Sequence, residues 1–220
     1  MKIAILLYPG FTSLDAVGPY EMLVHAPGVE MMLVAKNKTL LTGEKDIFKI
    51  MPSHSFDEVT STDILLIPGG LGETDAALDA ETTAWVKRIH ETTRYTTSVC
   101  TGSLILAKAG LLKGMDATTH WAAAETLAAL GSQYRAERWV QSGKIITAAG
   151  VSAGIDMALF LLGDLMGENV AKLMQLGVEY DPQPPFDSGS VAKADAHIHS
   201  TLKAGFKASM TERYNRLLSA

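Results

Sequence analysis

Residues 63–70 read DILLIPGG, an uninterrupted apolar run that stops at a Pro-Gly-Gly turn. An apolar run of this length, without alternating polar side chains, is typical of a parallel strand that is buried on both faces of its sheet. Similar runs alternate with segments of helical pattern along the rest of the chain. The pattern predicts strands at residues 2–7, 30–35, 46–51, 95–99 and 144–148, and helices that begin at Pro19 or cover residues 82–92, 103–112 and 153–166. This alternation predicts an α/β fold with a mainly parallel central sheet.

The composition is that of a globular protein with a sizeable core. The chain has 220 residues, of which 47% are hydrophobic and 20% are charged. Its net charge of −5, from 19 basic and 24 acidic side chains, argues against nucleic acid or an anionic membrane surface as a partner. The single cysteine excludes an intramolecular disulfide and fits a reducing cytoplasm, where we expect the protein to reside.

We expect one domain over residues 1–220. The apolar run at residues 3–7 is broken at once by Tyr8-Pro9-Gly10, so we interpret it as a buried first strand and not as a signal peptide. A Pro-rich break at residues 181–189 precedes residues 191–218, which have the pattern of a C-terminal helix. This helix is expected to pack on the same domain or on a dimer partner.

Cys100 is the strongest candidate for a catalytic side chain. It lies where the strand predicted at residues 95–99 meets the next helix, and Thr101 and Gly102 supply the turn between them. Such a turn exposes the side chain and aims it along the N-terminus of the helix, whose partial positive charge favours a thiolate. Because the thiolate is the nucleophilic form of cysteine, we predict that Cys100 is a nucleophile.

A glycine-rich loop follows the strand of residues 63–67, at an edge of the sheet where α/β proteins place their ligand sites. The backbone amides of Gly69, Gly70 and Leu71 suit an anion or oxyanion pocket. Gly70 and Gly72 also resemble half of a dinucleotide-binding fingerprint, but the third glycine and a registered helix are missing from the pattern. The sequence therefore favours an oxyanion pocket over a nucleotide site.

Three further segments carry polar side chains that suit a site. Asp15, in an apolar setting, is either a loop cap or a carboxyl group held near the site. His120 begins a predicted helix and is expected to be a packed, hydrogen-bonded histidine that borders the substrate. His197 and His199 are two positions apart on a predicted helix and so point in different directions, which argues against a metal site there.

Residues 150–154 read GVSAG and fit the G-x-S-x-G turn of α/β-hydrolases. Ser152, Asp181 and His197 follow one another in the order that a hydrolase triad requires. We reject this alternative because that fold needs further strands after the nucleophile, whereas the residues beyond 154 have the pattern of helix, loop and helix. We interpret Gly150 and Ser152 as part of a turn that packs beside the Cys100 site and contacts substrate.

Several segments together resemble the ThiJ/PfpI superfamily, and within it the isonitrile (isocyanide) hydratases. They are residues 2–9, 14–19, 67–70, 97–103, 117–121 and 147–156, and the resemblance extends to about residue 190. It implies a flavodoxin-like, class I glutamine amidotransferase-like fold of three layers, a homodimer, and no cofactor or metal. It also implies roles for four residues: Cys100 as the nucleophile, Asp15 as its acidic neighbour, Thr101 as the residue after the nucleophile, and Gly70 as an oxyanion amide.

The resemblance implies hydration of an isonitrile to an N-substituted formamide by a lyase. Cys100 would add to the electrophilic carbon to give a thioimidate, and Asp15 would act as general acid and base. Protease-type members carry a histidine where this chain has Thr101, so a Cys-His peptidase dyad is not expected. Two alternatives remain open: a glyoxalase- or deglycase-like enzyme that uses the same residues on reactive carbonyls, and a domain that senses a ligand or oxidation. The related AraC-type regulators carry a DNA-binding segment that residues 1–220 do not contain, which disfavours the second alternative.

Overall fold

The fold is a central sheet of seven strands with helices on either side. A computed structural model describes every residue from Met1 to Ala220. The strands are β1 (Lys2–Leu6), β2 (Glu30–Ala35), β3 (Leu41–Thr42), β4 (Lys49–Ile50), β5 (His54–Ser55), β6 (Ile64–Ile67), β7 (Tyr95–Val99), β8 (Asp116–Ala117), β9 (Gln133–Tyr134), β10 (Trp139–Ser142) and β11 (Ile145–Ala148). The helices are α1 (Ser13–Leu23), α2 (Glu73–Leu78), α3 (Ala80–Thr92), α4 (Gly102–Lys108), α5 (Ala124–Ala129), α6 (Ala153–Met166), α7 (Glu168–Gly177) and α8 (Ala196–Ser219).

The strand order in the main sheet is β10-β11-β7-β6-β1-β2-β5. All neighbouring strands are parallel except β10, which pairs antiparallel with β11 at one edge. This confirms the predicted α/β fold with a mainly parallel sheet. The carboxyl ends of β1, β6, β7 and β11 lie side by side, and the segments that follow these four strands build the candidate site.

Apolar side chains cover both faces of the sheet. Ile3 and Ile64, which are neighbours in register, pack with α1 and α6. The next pair along the same strands, Ala4 and Leu65, belongs to a larger cluster that includes Trp85 of α3. Because successive strand residues point to opposite faces, these two clusters demonstrate helices on either side of the sheet. The sheet is thus the middle of three layers.

The structure differs from the predicted elements in two places near the site. Helix α1 begins at Ser13, so Pro19 lies inside it and not in its first turn. Proline removes one backbone hydrogen bond there, and its ring packs closely against Gly154 of α6, where a Cβ would lie 3.0 Å from Pro19 Cγ. Helix α2 begins at Glu73, directly after Gly72, although the sequence pattern gave no registered helix at this loop.

The strand predicted over residues 46–51 is wrong. Only Lys49–Ile50 is extended, and it pairs antiparallel with β3 in a separate two-stranded sheet. Ile47 is 86% exposed and Phe48 is 40% exposed, so the apolar side chains that suggested a central strand are not buried.

The C-terminal helix begins at Ala196, five positions after the predicted residue 191, because residues 181–195 are irregular. Its buried face, formed by Met210, Tyr214 and Leu217, lies against the rest of the chain. None of the helices is both long enough and apolar enough to cross a membrane.

Candidate active site

Cys100 occupies a strained turn between β7 and α4. Its φ of 56° lies in the left-handed region that non-glycine residues rarely adopt. The backbone amide of Cys100 donates to the carbonyl oxygens of Ala148 and Ala149, at 3.1 and 2.8 Å. The hydroxyl groups of Thr119 and Ser103 donate to its own carbonyl oxygen, at 3.0 and 3.3 Å. The surrounding hydrogen bonds therefore hold the conformation that aims the side chain away from the sheet.

Asp15 reaches this turn because α1 packs closely against α6. Gly18 and Gly154 allow the approach, since a Cβ at Gly18 would lie 3.0 Å from Ile155 Cγ1 and one at Gly154 would lie 2.9 Å from Val99 Cγ2. The first turn of α1 then brings the fully buried carboxyl group of Asp15 next to the thiol of Cys100. Of the two interpretations of Asp15 that the sequence left open, the structure gives the carboxyl group held at the site.

The Asp15 carboxyl group is buried with one fixed hydrogen bond. Its Oδ2 accepts from the amide of Gly69 at 2.9 Å, whereas Oδ1 is buried without a partner of hydrogen-bond geometry. Burial, with a smaller contribution from the charge of Glu44, raises the pKa of Asp15 to about 7. The Gly69 amide and the Cys100 thiol lower this pKa, but their effects do not outweigh burial.

The thiol of Cys100 is buried as well, with 6% of the residue exposed. Burial and the neighbouring Asp15 carboxylate raise the pKa of Cys100, while the amides of Val151 and Thr101 donate towards the sulfur and lower it. The expected preference for a thiolate at the helix N-terminus is therefore outweighed, chiefly by burial and further by the charge of Asp15. The Cys100 thiol therefore keeps its proton well above neutral pH, and because Asp15 loses its own proton near pH 7, the pair holds one proton above about pH 7.

The three amides of the loop at residues 69–71 each donate to a side chain. Gly69 binds Asp15, Gly70 binds Oγ1 of Thr101 at 3.1 Å, and Leu71 binds Oε1 of Glu44 at 3.0 Å. The predicted role of these amides as oxyanion donors thus remains a prediction. In the structure the loop fixes the side chains of Asp15 and Thr101.

Glycine is required twice in this loop. A Cβ at Gly69 would lie 2.5 Å from both the amide nitrogen and Oγ1 of Thr101, and Gly70 has a φ of 135°. A Cβ at Gly102, at the start of α4, would lie 2.2 Å from the carbonyl oxygen of Ile67. The ends of β6 and β7 therefore meet backbone against backbone, which explains why Pro68-Gly69-Gly70 stands at this position.

A cavity of about 500 Å³ lies beside the turn that carries Cys100. Its wall includes Leu14, Thr119, His120, Gly150, Val151 and Ser152. Val151 has a φ of 24° and is the residue whose amide approaches the Cys100 sulfur. Three of the residues that the sequence assigned to substrate binding, namely His120, Gly150 and Ser152, thus share one cavity next to Cys100.

His120 is held in one orientation and one tautomer. Its Nδ1 accepts from the amide of Ala122 at 3.3 Å, and its ring packs against Phe206 of α8 with centroids 5.2 Å apart. Burial lowers the pKa of His120, so the ring is neutral and carries its proton on Nε2. Gly150 lies against the Nε2 side of the ring, where a Cβ would meet His120 Cδ2 at 2.9 Å.

Ser152 has no catalytic partner. Its hydroxyl accepts from Nη2 of Arg138 at 3.2 Å, and Arg138 also pairs with Asp156. His197 lies on the exposed side of α8 and Asp181 is exposed, so neither joins Ser152. The structure thus agrees with the rejection of a hydrolase triad.

Sequence analysis missed several charged and aromatic residues at the site. The Glu44 carboxylate accepts from the amide of Leu71, and Tyr8, which is buried, donates to the carbonyl oxygen of Pro68 at 2.7 Å. Glu73 and Arg213 meet behind the same loop, with Arg213 Nη1 lying 3.6 Å from Glu73 Oε2. Tyr8 lies within residues 2–9, which carry part of the family resemblance, but Glu44, Glu73 and Arg213 belong to no recognisable local motif, and only the tertiary fold brings them to the site.

Fold and site define a flavodoxin-like α/β protein with a cysteine at a strand-to-helix elbow and a buried carboxyl group beside it. The sequence model of the DJ-1/PfpI family matches residues 1–163. The chain belongs to the DJ-1/PfpI family, the ThiJ/PfpI superfamily of the sequence analysis.

Two relatives match nearly the whole chain. The isonitrile hydratase of Pseudomonas putida is 41% identical over 198 residues, which cover 90% of this chain and 86% of that enzyme. The crystal structure of a ThiJ/PfpI family protein from Pseudomonas syringae superposes with a TM-score of 0.94 at 38% identity, over 100% of this chain and 90% of that one. The HTH-type transcriptional regulator GbdR of Pseudomonas aeruginosa is 30% identical over 77% of this chain, which corresponds to 48% of the regulator.

Proposed function

We propose that this protein is an isonitrile hydratase that converts an isonitrile and water to an N-substituted formamide. The observation that carries the proposal is the buried pair of Cys100 and Asp15, which combines a nucleophile with a carboxyl group whose pKa is raised to about 7. The 41% identity with the hydratase of Pseudomonas putida over 90% of the chain supports this choice of substrate.

The reaction begins with the proton that the pair shares. Asp15 takes this proton from the Cys100 thiol, and the sulfur forms a bond to the terminal carbon of the isonitrile. Asp15 then returns the proton to that carbon, which gives a thioimidate in which the carbon is bound to sulfur, hydrogen and nitrogen. The amides of Val151 and Thr101, which point towards the sulfur, stabilise the negative charge on it at the start and at the end.

Hydrolysis uses the same two groups. Asp15, again a carboxylate, takes a proton from a water molecule as the water oxygen attacks the thioimidate carbon, and it then passes this proton to the nitrogen. The carbon–sulfur bond breaks as Asp15 takes the hydroxyl proton, and Asp15 returns that proton to the sulfur, so that the formamide is released with Cys100 as a thiol. Each cycle consumes one isonitrile and one water, and no redox change occurs. The substituent on the isonitrile nitrogen would occupy the cavity of about 500 Å³ beside Val151 and His120.

Purified protein incubated with an aryl isonitrile should form the corresponding formamide, measured by chromatography and mass spectrometry. Cys100→Ala should reduce the rate to the uncatalysed background while circular dichroism shows an unchanged fold. Ser152→Ala is the matched control, because this side chain borders the same cavity but its hydroxyl binds Arg138, and its effect should be modest. Formamide production by Cys100→Ala at the normal rate would rule out covalent catalysis.

A parallel incubation with methylglyoxal separates the proposal from carbonyl chemistry at the same pair of residues. Consumption of methylglyoxal without turnover of the isonitrile would overturn the proposed substrate in favour of a glyoxalase- or deglycase-like reaction. Turnover of neither compound would favour a sensing domain.

A further inference from the structure

Arg213 of the C-terminal helix α8 contacts the loop at residues 69–71, whose Gly69 amide binds Asp15. Nη1 of Arg213 donates to the carbonyl oxygen of Leu71 at 2.5 Å, across 142 positions of sequence. The Arg213 side chain is 18% exposed and faces Glu73, which is fully buried. Arginine delivers its charge and its donors from a rigid planar group, so it can hold a carbonyl oxygen in a fixed place.

Packing of α8 accounts for the position of this arginine. Met210, Tyr214 and Leu217 are buried at the spacing of one helix face, and Arg213 lies next to that face. One turn further on, Arg216 pairs with Asp75 of α2 at 2.8 Å, and both side chains of that pair are largely exposed. Helix α8 is therefore attached to α2 by two arginines, of which only Arg213 contacts the loop at residues 69–71.

The same loop binds Asp15 and Thr101 through its backbone amides. The Gly69 amide, two positions before the carbonyl group that Arg213 holds, donates to Asp15, and the Gly70 amide, one position before it, donates to Thr101. The far end of the segment is fixed by the Gly72 amide, which donates to the carbonyl oxygen of Gly10 at 3.1 Å. Between these anchors, Arg213 is the only positively charged side chain that binds the loop backbone.

We propose that Arg213 is a positioning residue, which holds the loop at residues 69–71 so that the Gly69 amide stays bonded to Asp15. The inference rests on the proposed function in that it assigns Asp15 the proton transfer. Arg213 lies outside the segment that the family model matches, which ends at residue 163. The C-terminal helix thus becomes part of the active site.

The expected consequence is a change in the acidity of Asp15. The Gly69 hydrogen bond lowers the pKa of Asp15, so loosening it raises that pKa above its present value of about 7. The other ionisable groups that face Asp15 are Cys100, Glu44 and Tyr8, whereas the polar partners of Arg213 are Leu71 and Glu73. A change at Arg213 therefore reaches Asp15 through the loop.

The test compares Arg213→Met with Arg216→Met. Both variants remove an arginine of α8 that contacts α2 or its preceding loop, and only the first releases Leu71. For Arg213→Met we expect the acid limb of the pH profile of kcat/KM to move upward by about half to one pH unit, with a roughly tenfold lower maximum. For Arg216→Met the position of the acid limb and the maximum of kcat/KM should both equal those of the wild type. Arg213→Lys, with a single ammonium group on a shorter stem, should show a smaller shift in the same direction, and Arg216→Lys should show none.

The alkylation rate of Cys100 provides a readout that does not depend on isonitrile turnover. Cys100 is the only cysteine, so intact-mass measurement of iodoacetamide uptake between pH 5 and 9 follows the Cys100–Asp15 pair directly. The same upward shift should appear in Arg213→Met even if the isonitrile proves to be the wrong substrate. If Arg213→Met does not fold, the two lysine variants decide the question. An unshifted profile in every folded Arg213 variant, or an equal shift in the Arg216 variants, would overturn the proposal.

Discussion

Oδ2 of Asp15 and the amide nitrogen of Gly69 form a buried hydrogen bond of 2.9 Å between residues 54 positions apart. It joins the first turn of α1 to the loop after β6, and so fixes the carboxyl group beside the end of β7. This bond favours the ionised form of Asp15, whereas burial favours the neutral form. The balance leaves the group able to both accept and donate a proton near neutral pH.

Asp15→Asn should lose most isonitrile turnover, by a factor of roughly 10² to 10⁴, because the amide keeps the size and the acceptor for Gly69 but cannot transfer a proton. The measurement is kcat/KM with an aryl isonitrile, with thermal unfolding as the check on the fold. Asp156→Asn, an acidic residue of α6 that pairs with Arg138, is the control and should retain activity. Near-normal turnover by Asp15→Asn would place the proton donor elsewhere, with His120 the next residue to vary.

The pH profile of kcat/KM should show an acid limb with an apparent pKa near 7. The active form carries one proton on the Cys100–Asp15 pair, and a second proton neutralises Asp15 and so removes the base that activates the thiol. Activity should therefore fall as the pH drops below about 7. In Asp15→Asn the residual activity should lose this limb. A wild-type profile that is flat from pH 5 to 8 would contradict the shared proton.

Glu73 should destabilise the folded protein as the pH rises. Its carboxyl group is fully buried and burial raises its pKa to about 7, with Arg213 lowering it by a smaller amount. Because the folded state binds the Glu73 proton more tightly than the unfolded state does, the contribution of this proton to the free energy of unfolding is fully present below about pH 4. That contribution is lost as the pH rises through 7. Asp15 contributes in the same direction.

Glu73→Gln should remove the part of the pH dependence of stability that Glu73 contributes. Between pH 5 and pH 8.5 we expect the free energy of unfolding of the variant to rise by roughly 2 kcal/mol relative to that of the wild type, measured by urea unfolding at both pH values. Asp75→Asn, two positions along α2 with an exposed side chain, should show no such gain. A constant difference between Glu73→Gln and the wild type across this range would show that Glu73 ionises normally.

Gly69→Ala should damage the site more than an ordinary added methyl group. The new Cβ would lie 2.5 Å from the Thr101 backbone nitrogen, so either the loop or the elbow must move. We expect a loss of about 1–3 kcal/mol in stability and of roughly 10²-fold in kcat/KM. Gly205→Ala is the control, because its Cβ would meet nothing within 4 Å and alanine favours the helix. Gly69→Ala with normal activity would show that the loop tolerates displacement.

The local pattern of the sequence was sufficient for the fold and for the elbow. The runs at residues 30–35, 95–99 and 153–166 coincide with β2, β7 and α6, because a strand buried on both faces needs unbroken apolar content and a buried helix needs a continuous apolar stripe. Cys100 is recognisable for a similar reason, since a strand that passes directly into a helix through Thr101-Gly102 is a local event. Asp15 was a candidate through its apolar setting and the family resemblance, and His120 through its place at the start of a predicted helix.

Only the tertiary structure decided how these candidates act. The pKa of Asp15 depends on its burial between α1, the loop after β6 and Cys100, and burial is a property of the packed chain that no window of sequence contains. The loop amides bind Asp15, Thr101 and Glu44 because parallel strands bring their carboxyl ends to one edge. Arg213 reaches that loop from 142 positions away, through a helix whose own sequence carries no sign of the site. Contacts between distant segments set proton affinity, and for that reason composition and spacing predicted which residues gather here but not the charge that each one carries.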